Sequence, residues 1–205
     1  MNPRDDATGS AGYYRRMQSA VEELLVLRGV LTRQGIDAQV AAMDDRNYKL
    51  GARVVARAWT DVAYKARLLA EPRTAIAELG INIGPTHLIV VDNTPTVHNV
   101  VVCTLCSCYP RMLLGTPPHW YKSREYRSRV VREPRAVLAE FGAIVADDIA
   151  IRVHDSTADM RYMVLPLQPA GTAHLDETQL AELVTRDSLI GVGVPGASPD
   201  RSTQT

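Results

Sequence analysis

The spacing of apolar residues changes near residue 87. Before it they recur every three to four positions; after it they come in short runs. Over residues 13–28, Met17, Val21, Leu24 and Leu25 share one helical face beside Arg15, Arg16, Glu22 and Glu23, which predicts an amphipathic helix. Gly29 and Thr32-Arg33-Gln34-Gly35 stop it, and a second short helix is expected over 36–43 with Asp37 in its first turn. Residues 51–69 predict a helix in two pieces, broken near Thr60-Asp61, where the aspartate can cap the second piece. Glu71-Pro72 opens a further helix through Leu79, closed by Gly80. Residues 87–91 and 97–103 then read as strands, separated by the turn formers Asp92-Asn93-Thr94-Pro95. A loop with Pro110, Gly115, Pro117 and Pro118 follows. Residues 133–141 predict a helix ended by Gly142, and 149–153 and 161–165 read as strands with Asp155-Ser-Thr as the turn between. Asp176 N-caps a helix through Thr185. The polar residues 1–12 read as a loose end and 191–205 as a tail.

Composition narrows the class without naming a chemistry. The 205 residues are 46% hydrophobic, enough for a core without staples. Lys and Arg number 23 against 23 Asp and Glu, which excludes a broadly basic nucleic-acid binder and an acidic tail protein. The longest apolar runs, 88–91 and 100–103, fall far short of the roughly 18 residues that span a membrane. The opening MNPRDDATGS lacks the apolar stretch and basic flank of a signal peptide, so a cytoplasmic location is expected. Lys122, Arg124, Arg127, Arg129, Arg132 and Arg135 form a basic run, but Glu125 and Glu133 interleave with them. A salt-bridged helix is expected there rather than a phosphate-binding patch.

An odd count of three cysteines argues against a disulfide framework, but all three fall together at Cys103, Cys106 and Cys108. Structural zinc wants four ligands, commonly from two separated knuckles, and no second knuckle is present; His98 or His119 lacks the usual spacing for a fourth ligand. A redox dithiol belongs at a helix start near a βαβ unit, which is not evident. The Cys106-Ser107-Cys108 unit suits a different metal chemistry. If the amides of Ser107 and Cys108 deprotonate, two nitrogens and two sulfurs close fused five- and six-membered chelate rings around one ion. Cys103 can then add an axial sulfur and leave a sixth position open. Thiolate and amide anions favour Co(III) or Fe(III) over Zn(II), and an open position on such an ion means Lewis-acid catalysis. The competing readings are a zinc or redox module using the three cysteines and one histidine, and three buried free thiols.

The run Val101-Val-Cys103-Thr-Leu-Cys106-Ser-Cys108-Tyr-Pro110 resembles the metal claw of nitrile hydratase α subunits. The resemblance extends through Leu50-Gly-Ala-Arg-Val-Val55, Ala58-Trp59-Thr-Asp61, the segment 120–135, Asp155-Ser-Thr, Arg161-Tyr162, Leu165-Pro166, Arg186-Asp187-Ser188 and Ile190-Gly-Val192, about residues 15–194 in all. It implies an α/β fold, an N-terminal helical arm followed by a layered α-β-β-α core that carries the claw loop. The implied organisation is a disordered terminus over 1–12, an arm and helices over 13–80, a metal-binding catalytic core over 81–194 and a tail over 195–205.

The resemblance also implies roles. Cys103 is the unmodified axial thiolate, Cys106 a sulfinate and Cys108 a sulfenate, with Ser107 and Cys108 amides as nitrogen ligands. Cys106 and Cys108 are the catalytic pair, and either activated water or the Cys108 sulfenate oxygen attacks the nitrile carbon to give the amide. Thr104 matches cobalt-type members, iron-type members carrying Ser, so Co(III) is expected over Fe(III). Thr104 and His98 are expected to support the ligands, and Tyr109, Arg111, Met112 and Thr116 to line the substrate pocket. A β subunit of one or two chains brings arginines to the site, an activator protein inserts the metal, and neither nucleic acid nor membrane is a partner. The related thiocyanate hydrolase metal subunit shares the claw, although Tyr109 favours nitrile hydratase. Departures concern the pocket. The family's usual Trp-Pro-Val-Leu-Gly-Leu-Pro-Pro is Arg111-Met-Leu-Leu-Gly-Thr-Pro-Pro118 here, its His-His is His98-Asn99, and a Gln-containing stretch is replaced by Asn82-Ile-Gly-Pro-Thr86. These imply a bulkier, more polar substrate, a heteroaromatic or nucleoside nitrile of the toyocamycin kind.

Overall fold

The computed structural model of the chain describes residues 5–44 and 46–196. It divides into two compact units, Met1–Asp44 and Asp45–Thr205. The first holds α1 (Asp5–Leu27) and α2 (Arg33–Asp44). No proline interrupts residues 5–27, and α1 starts at Asp5, inside the stretch expected to be loose; residues 1–4 lie outside the described residues. The apolar stripe of α1 is real but uncovered: Tyr13, Met17, Val21 and Leu24 are all exposed.

The second unit opens with α3 (Lys49–Thr60) and α4 (Val62–Ala70), broken where expected. The Asp61 carboxylate accepts the Tyr64 N–H at 2.8 Å, and that bond holds its carboxyl below the usual range. α5 (Pro72–Glu78) follows with Pro72 in its first turn, where the missing N–H costs nothing. Then come β1 (His87–Asp92), β2 (Val97–Val102), α6 (Arg111–Leu114), α7 (His119–Lys122), α8 (Arg124–Arg132), α9 (Pro134–Glu140), β3 (Ala150–Asp155), β4 (Met160–Leu165), α10 (Glu177–Leu183) and α11 (Arg186–Ile190). The helix expected through Thr185 is two. A capping box at Asp176 and Gln179 starts α10, and a second at Thr185 and Ser188 starts α11.

Neighbouring strands in sequence do not pair. β1 pairs with β4 and β2 with β3, both in parallel, with Ile89 opposite Tyr162 and Val102 opposite Asp155. β2 packs on β4, α4 and α5 cover β1, and α9 covers β3, which gives helix, sheet, sheet, helix in layers. Parallel pairing needs a long crossover, and residues 103–149 supply it, carrying the cysteines and α6 to α9. The carboxyl ends of β2 and β3 therefore lie side by side where the cysteine loop begins, the usual place for a site in a parallel sheet.

Two groups of side chains fix the crossover. Trp120 packs edge to face on Tyr121, Tyr126 and Phe141, and the buried Tyr126 hydroxyl donates to the Val101 carbonyl at 2.7 Å, pinning α8 to β2. On the outer side of α8, Arg129 meets Glu125, Glu133 and Glu140, the salt-bridged helix that the interleaved charges predicted. The stretch after α11 corrects the expected tail. Val192 is fully buried, Gly191 lies against Asn99 of β2, and the Gly196 N–H reaches the Leu183 carbonyl; residues 197–205 lie outside the described residues.

Gly191 adopts φ +88°, and a Cβ there would overlap the Asn99 carbonyl oxygen. Gly142 adopts φ +84° with open space around it. Gly191→Ala is expected to cost about 2–4 kcal/mol in urea unfolding and Gly142→Ala about 1 kcal/mol. Equal costs would show that steric overlap at Gly191 contributes nothing.

Candidate metal centre

β2 ends at Val102, whose carbonyl accepts the Ser156 N–H at 2.7 Å, and the chain then turns away from the ladder. Cys103 remains in the core, Cys106 is exposed and Cys108 lies between. The three sulfurs all fall within 4.8 Å of one another. Cys106 Sγ is 3.3 Å from Cys103 Sγ and 3.1 Å from Cys108 Sγ. Two sulfurs bound at about 2.3 Å to one ion sit about 3.3 Å apart at a right angle, but about 3.8 Å apart at the tetrahedral angle. The spacing thus fits neighbouring corners of a square or octahedron. The Cys106 N–H lies 3.3 Å from Cys103 Sγ. Three converging sulfurs on a short loop are a donor set suited to a metal ion.

Zinc fits less well. Among the described residues no histidine joins the cluster. His119 is exposed at the start of α7. His98 stands near the far end of β2, about 16 Å from Cys103 at strand rise. Its Nε2–H donates to the Gly191 carbonyl at 2.7 Å, and burial pushes its pKa down. His98 is therefore a tie between β2 and the segment after α11, not a support of the sulfur cluster as expected.

The sulfurs share their charge unequally. Hydrogen bonds from the Cys108 and Cys103 thiols, with the two amides, bring the Cys106 thiol down to about 7. Burial, and then the neighbouring Cys106, pushes Cys108 up to about 12, against the pull of Arg161. A bound cation would let Cys106 and Cys108 be thiolates together.

Side chains distant in sequence hold the loop. Asp155, at the end of β3, accepts the Thr104 N–H at 2.9 Å on one carboxylate oxygen and the Thr104 hydroxyl on the other. Arg127 of α8 donates to the Cys106 carbonyl at 2.9 Å and the Thr104 carbonyl at 3.5 Å. The Tyr121 hydroxyl donates to the Cys108 carbonyl at 2.9 Å. Thr104 thus fixes the first half of the loop to the end of β3. The roles of Asp155, Arg127 and Tyr121 were not legible, although each lies in a segment that resembles the family. Their contacts depend on the parallel register and on the docking of α7 and α8.

The expected pocket residues separate. Tyr109 is only 4% exposed and packs against Tyr121 with ring centroids 5.1 Å apart. It belongs to the core, not to an open pocket wall, because the chain dives inward before α6. Arg111 and Thr116 are exposed, and Met112 is half-buried with its sulfur 2.6 Å from Arg46 Nη1. A groove of about 520 Å³ opens beside Thr104, lined by Arg124, Arg127, Ser128, Val131 and Arg132.

Comparison with known proteins places this arrangement. The family model described as "Nitrile hydratase, alpha chain" matches residues 13–193. The α subunit of the low-molecular weight cobalt-containing nitrile hydratase of Rhodococcus rhodochrous is 51% identical over 178 residues, 86% of each chain. The γ subunit of thiocyanate hydrolase from Thiobacillus thioparus is 44% identical over 195 residues, 87% of this chain and 79% of that one. Among solved structures, a double mutant of the Fe-type nitrile hydratase of Comamonas testosteroni Ni1 superposes with TM-score 0.81 at 42% identity, covering 94% of this chain and 97% of that one. The match takes in the helices, both sheets and the cysteine loop together, and the chain belongs to the nitrile hydratase α-chain family.

Proposed function

We propose that this chain is the metal-binding α subunit of a nitrile hydratase that converts an organic nitrile to the amide at a non-corrin Co(III) centre. The observation that carries this reading is the clustering of the Cys103, Cys106 and Cys108 sulfurs, with Cys106 Sγ 3.3 Å and 3.1 Å from its two neighbours. A trivalent ion held there supplies Lewis acidity toward the nitrile and toward water. The protein's part is to hold that ion and shape its approach. Cys103 is shut inside the core, which shields its sulfur from solvent-borne oxidants and leaves it the unmodified ligand. Cys106 faces solvent with a lowered thiol pKa, which favours its oxidation: one dioxygen adds both its oxygens to give the sulfinate, and at Cys108 a peroxide adds one oxygen and leaves as water to give the sulfenate. The added oxygens accept hydrogen bonds from arginines of a partner β subunit, one chain or two.

The need for a partner is supported by the uncovered stripe of Tyr13, Met17, Val21 and Leu24 and by the groove beside Thr104. An activator protein loads the metal, and the complex works in the cytoplasm. No helix among the described residues is long and apolar enough to cross a membrane. Cobalt is supported by Thr104 and by the cobalt-containing relative, while the Fe-type structural relative keeps Fe(III) as the second choice. A second reading, turnover of thiocyanate, is favoured by the 44% identity to the thiocyanate hydrolase γ subunit.

The exposed Arg111 and Thr116 support a bulkier, more polar nitrile than a simple aliphatic one. Elemental analysis of the complex with its partner is expected to find about one cobalt per chain, and intact mass a gain of about 48 Da localised to Cys106 and Cys108. Zinc with unmodified cysteines would contradict the hydratase reading. On substrates, kcat/KM is expected to be at least about tenfold higher for a cyano-substituted heteroaromatic or nucleoside than for acrylonitrile, a difference of about 1.4 kcal/mol. Arg111→Trp should narrow that gap. Preference for acrylonitrile would exclude the polar-pocket reading, and preference for thiocyanate would favour the second.

A further inference from the structure

Every backbone polar group near the protein interior needs a partner, and the cysteine loop finds few in the backbone. Among the described residues, no backbone–backbone hydrogen bond engages residues 103–108. Side chains hold the loop instead, and one of them acts on the peptide that carries a candidate nitrogen ligand. The Cys106 carbonyl and the Ser107 N–H belong to the same planar unit and point to opposite sides of the chain. Arg127 Nη1 takes the carbonyl at 2.9 Å from the outer side. With the oxygen held by Arg127, the nitrogen of that unit is turned to the other side of the chain, where the three sulfurs gather.

The arginine is itself held in place. Its Nε donates to the Ser123 carbonyl at 3.3 Å, Ser123 Oγ caps α8 through the Tyr126 N–H, and the Tyr126 hydroxyl ties α8 to β2. The guanidinium therefore reaches the loop from a helix fixed to the same strand that delivers Cys103. Its second contact, to the Thr104 carbonyl at 3.5 Å, spans the first half of the loop. Thr104 is held from its N–H side by Asp155. Clamping from both sides sets the turn between Cys103 and Cys106.

We propose that Arg127 is a positioning residue of the metal centre: by holding the Cys106 carbonyl outward it presents the Ser107 nitrogen to the ion that the three sulfurs bind. The proposal rests on the metal reading given above. It assigns Arg127 no contact with substrate. It also gives the basic run on α8 two separate tasks. Arg129 ties α8 to its own glutamates and to α9, whereas Arg127 organises the loop.

The test uses the full chain co-expressed with its partner subunit, as wild type, Arg127→Ala and Arg127→Lys. Cobalt affinity, the visible sulfur-to-metal charge-transfer band and thermal unfolding of the metal-free protein are measured for each. Arg127→Ala is expected to weaken cobalt binding by about tenfold or more and to shift the band. Arg127→Lys, which keeps one cationic donor within reach of the carbonyl, should recover most of the affinity and the wild-type band. Unfolding of the metal-free proteins should stay close to wild type. Wild-type affinity and band in Arg127→Ala would overturn the proposal. So would a cobalt loss that follows a matching loss of thermal stability and is shared by Arg127→Lys, since that marks a purely structural role. Failure of the wild-type complex to bind cobalt would overturn the metal reading itself, a result visible before either variant is compared.

Discussion

The parallel register of β2 on β3 is the constraint on which the rest of the molecule depends. It sets Val102 opposite Asp155, so the chain leaves β2 beside a carboxylate that can grip Thr104 by both its N–H and its hydroxyl. The same parallel pairing demands a long crossover, and the crossover brings α7 and α8 back over the loop it started from. Tyr121, Tyr126 and Arg127 then act on the Cys108, Val101 and Cys106 carbonyls. A loop with no ladder of its own is held from three elements at once. A one-residue slip in that register would move Asp155 away from Thr104 and turn β3 over.

Electrostatics gives this rigidity a purpose. Cys106 and Cys108, with sulfurs 3.1 Å apart, shift each other's thiols in opposite directions, and a bound cation would relieve that conflict. A preformed cluster of this kind can take a metal ion without having to gather its ligands first, which spares the ordering entropy that a flexible loop would lose. Cys106 Sγ lies 3.3 Å and 3.1 Å from the other two sulfurs, closer than the about 3.8 Å of a tetrahedral zinc site. Equal numbers of acids and bases describe the chain as a whole, but its charge is distributed locally, with arginines gathered beside the loop and glutamates around Arg129. Arg127 spends its donors on backbone carbonyls of the loop, and Arg129 on glutamates.

Much of the fold was legible because it is written in local chemistry. The break at Asp61, the prolines that open α5 and α9, and the cap at Asp176 each act within a turn of themselves. The cysteines were legible as a site because their spacing alone closes chelate rings. What was hidden depends on residues far apart in sequence. Strand partners could not be read from alternation, since a strand shows which face is buried but not what lies beside it. Asp155 and Arg127 were visible only as a turn former and one of six basic residues. Tyr109 and His98 were misplaced for a related reason: closeness in sequence to Cys108 and Cys103 did not translate into closeness to the sulfurs. Tyr109 points into the core, and an extended strand carries His98 steadily away. Gly191 was read as the start of a tail, but its lack of a Cβ is what lets α11 close on Asn99.

The central claim is that residues 103–108 hold one ion through three sulfurs and two backbone nitrogens. Cobalt K-edge X-ray absorption on the chain in complex with its partner subunit tests it directly. The account predicts a first shell of mixed sulfur and light-atom scatterers, sulfur in the majority among the protein ligands, with an edge typical of a six-coordinate trivalent ion. A four-coordinate tetrahedral shell, or one rich in imidazole scattering, would contradict it.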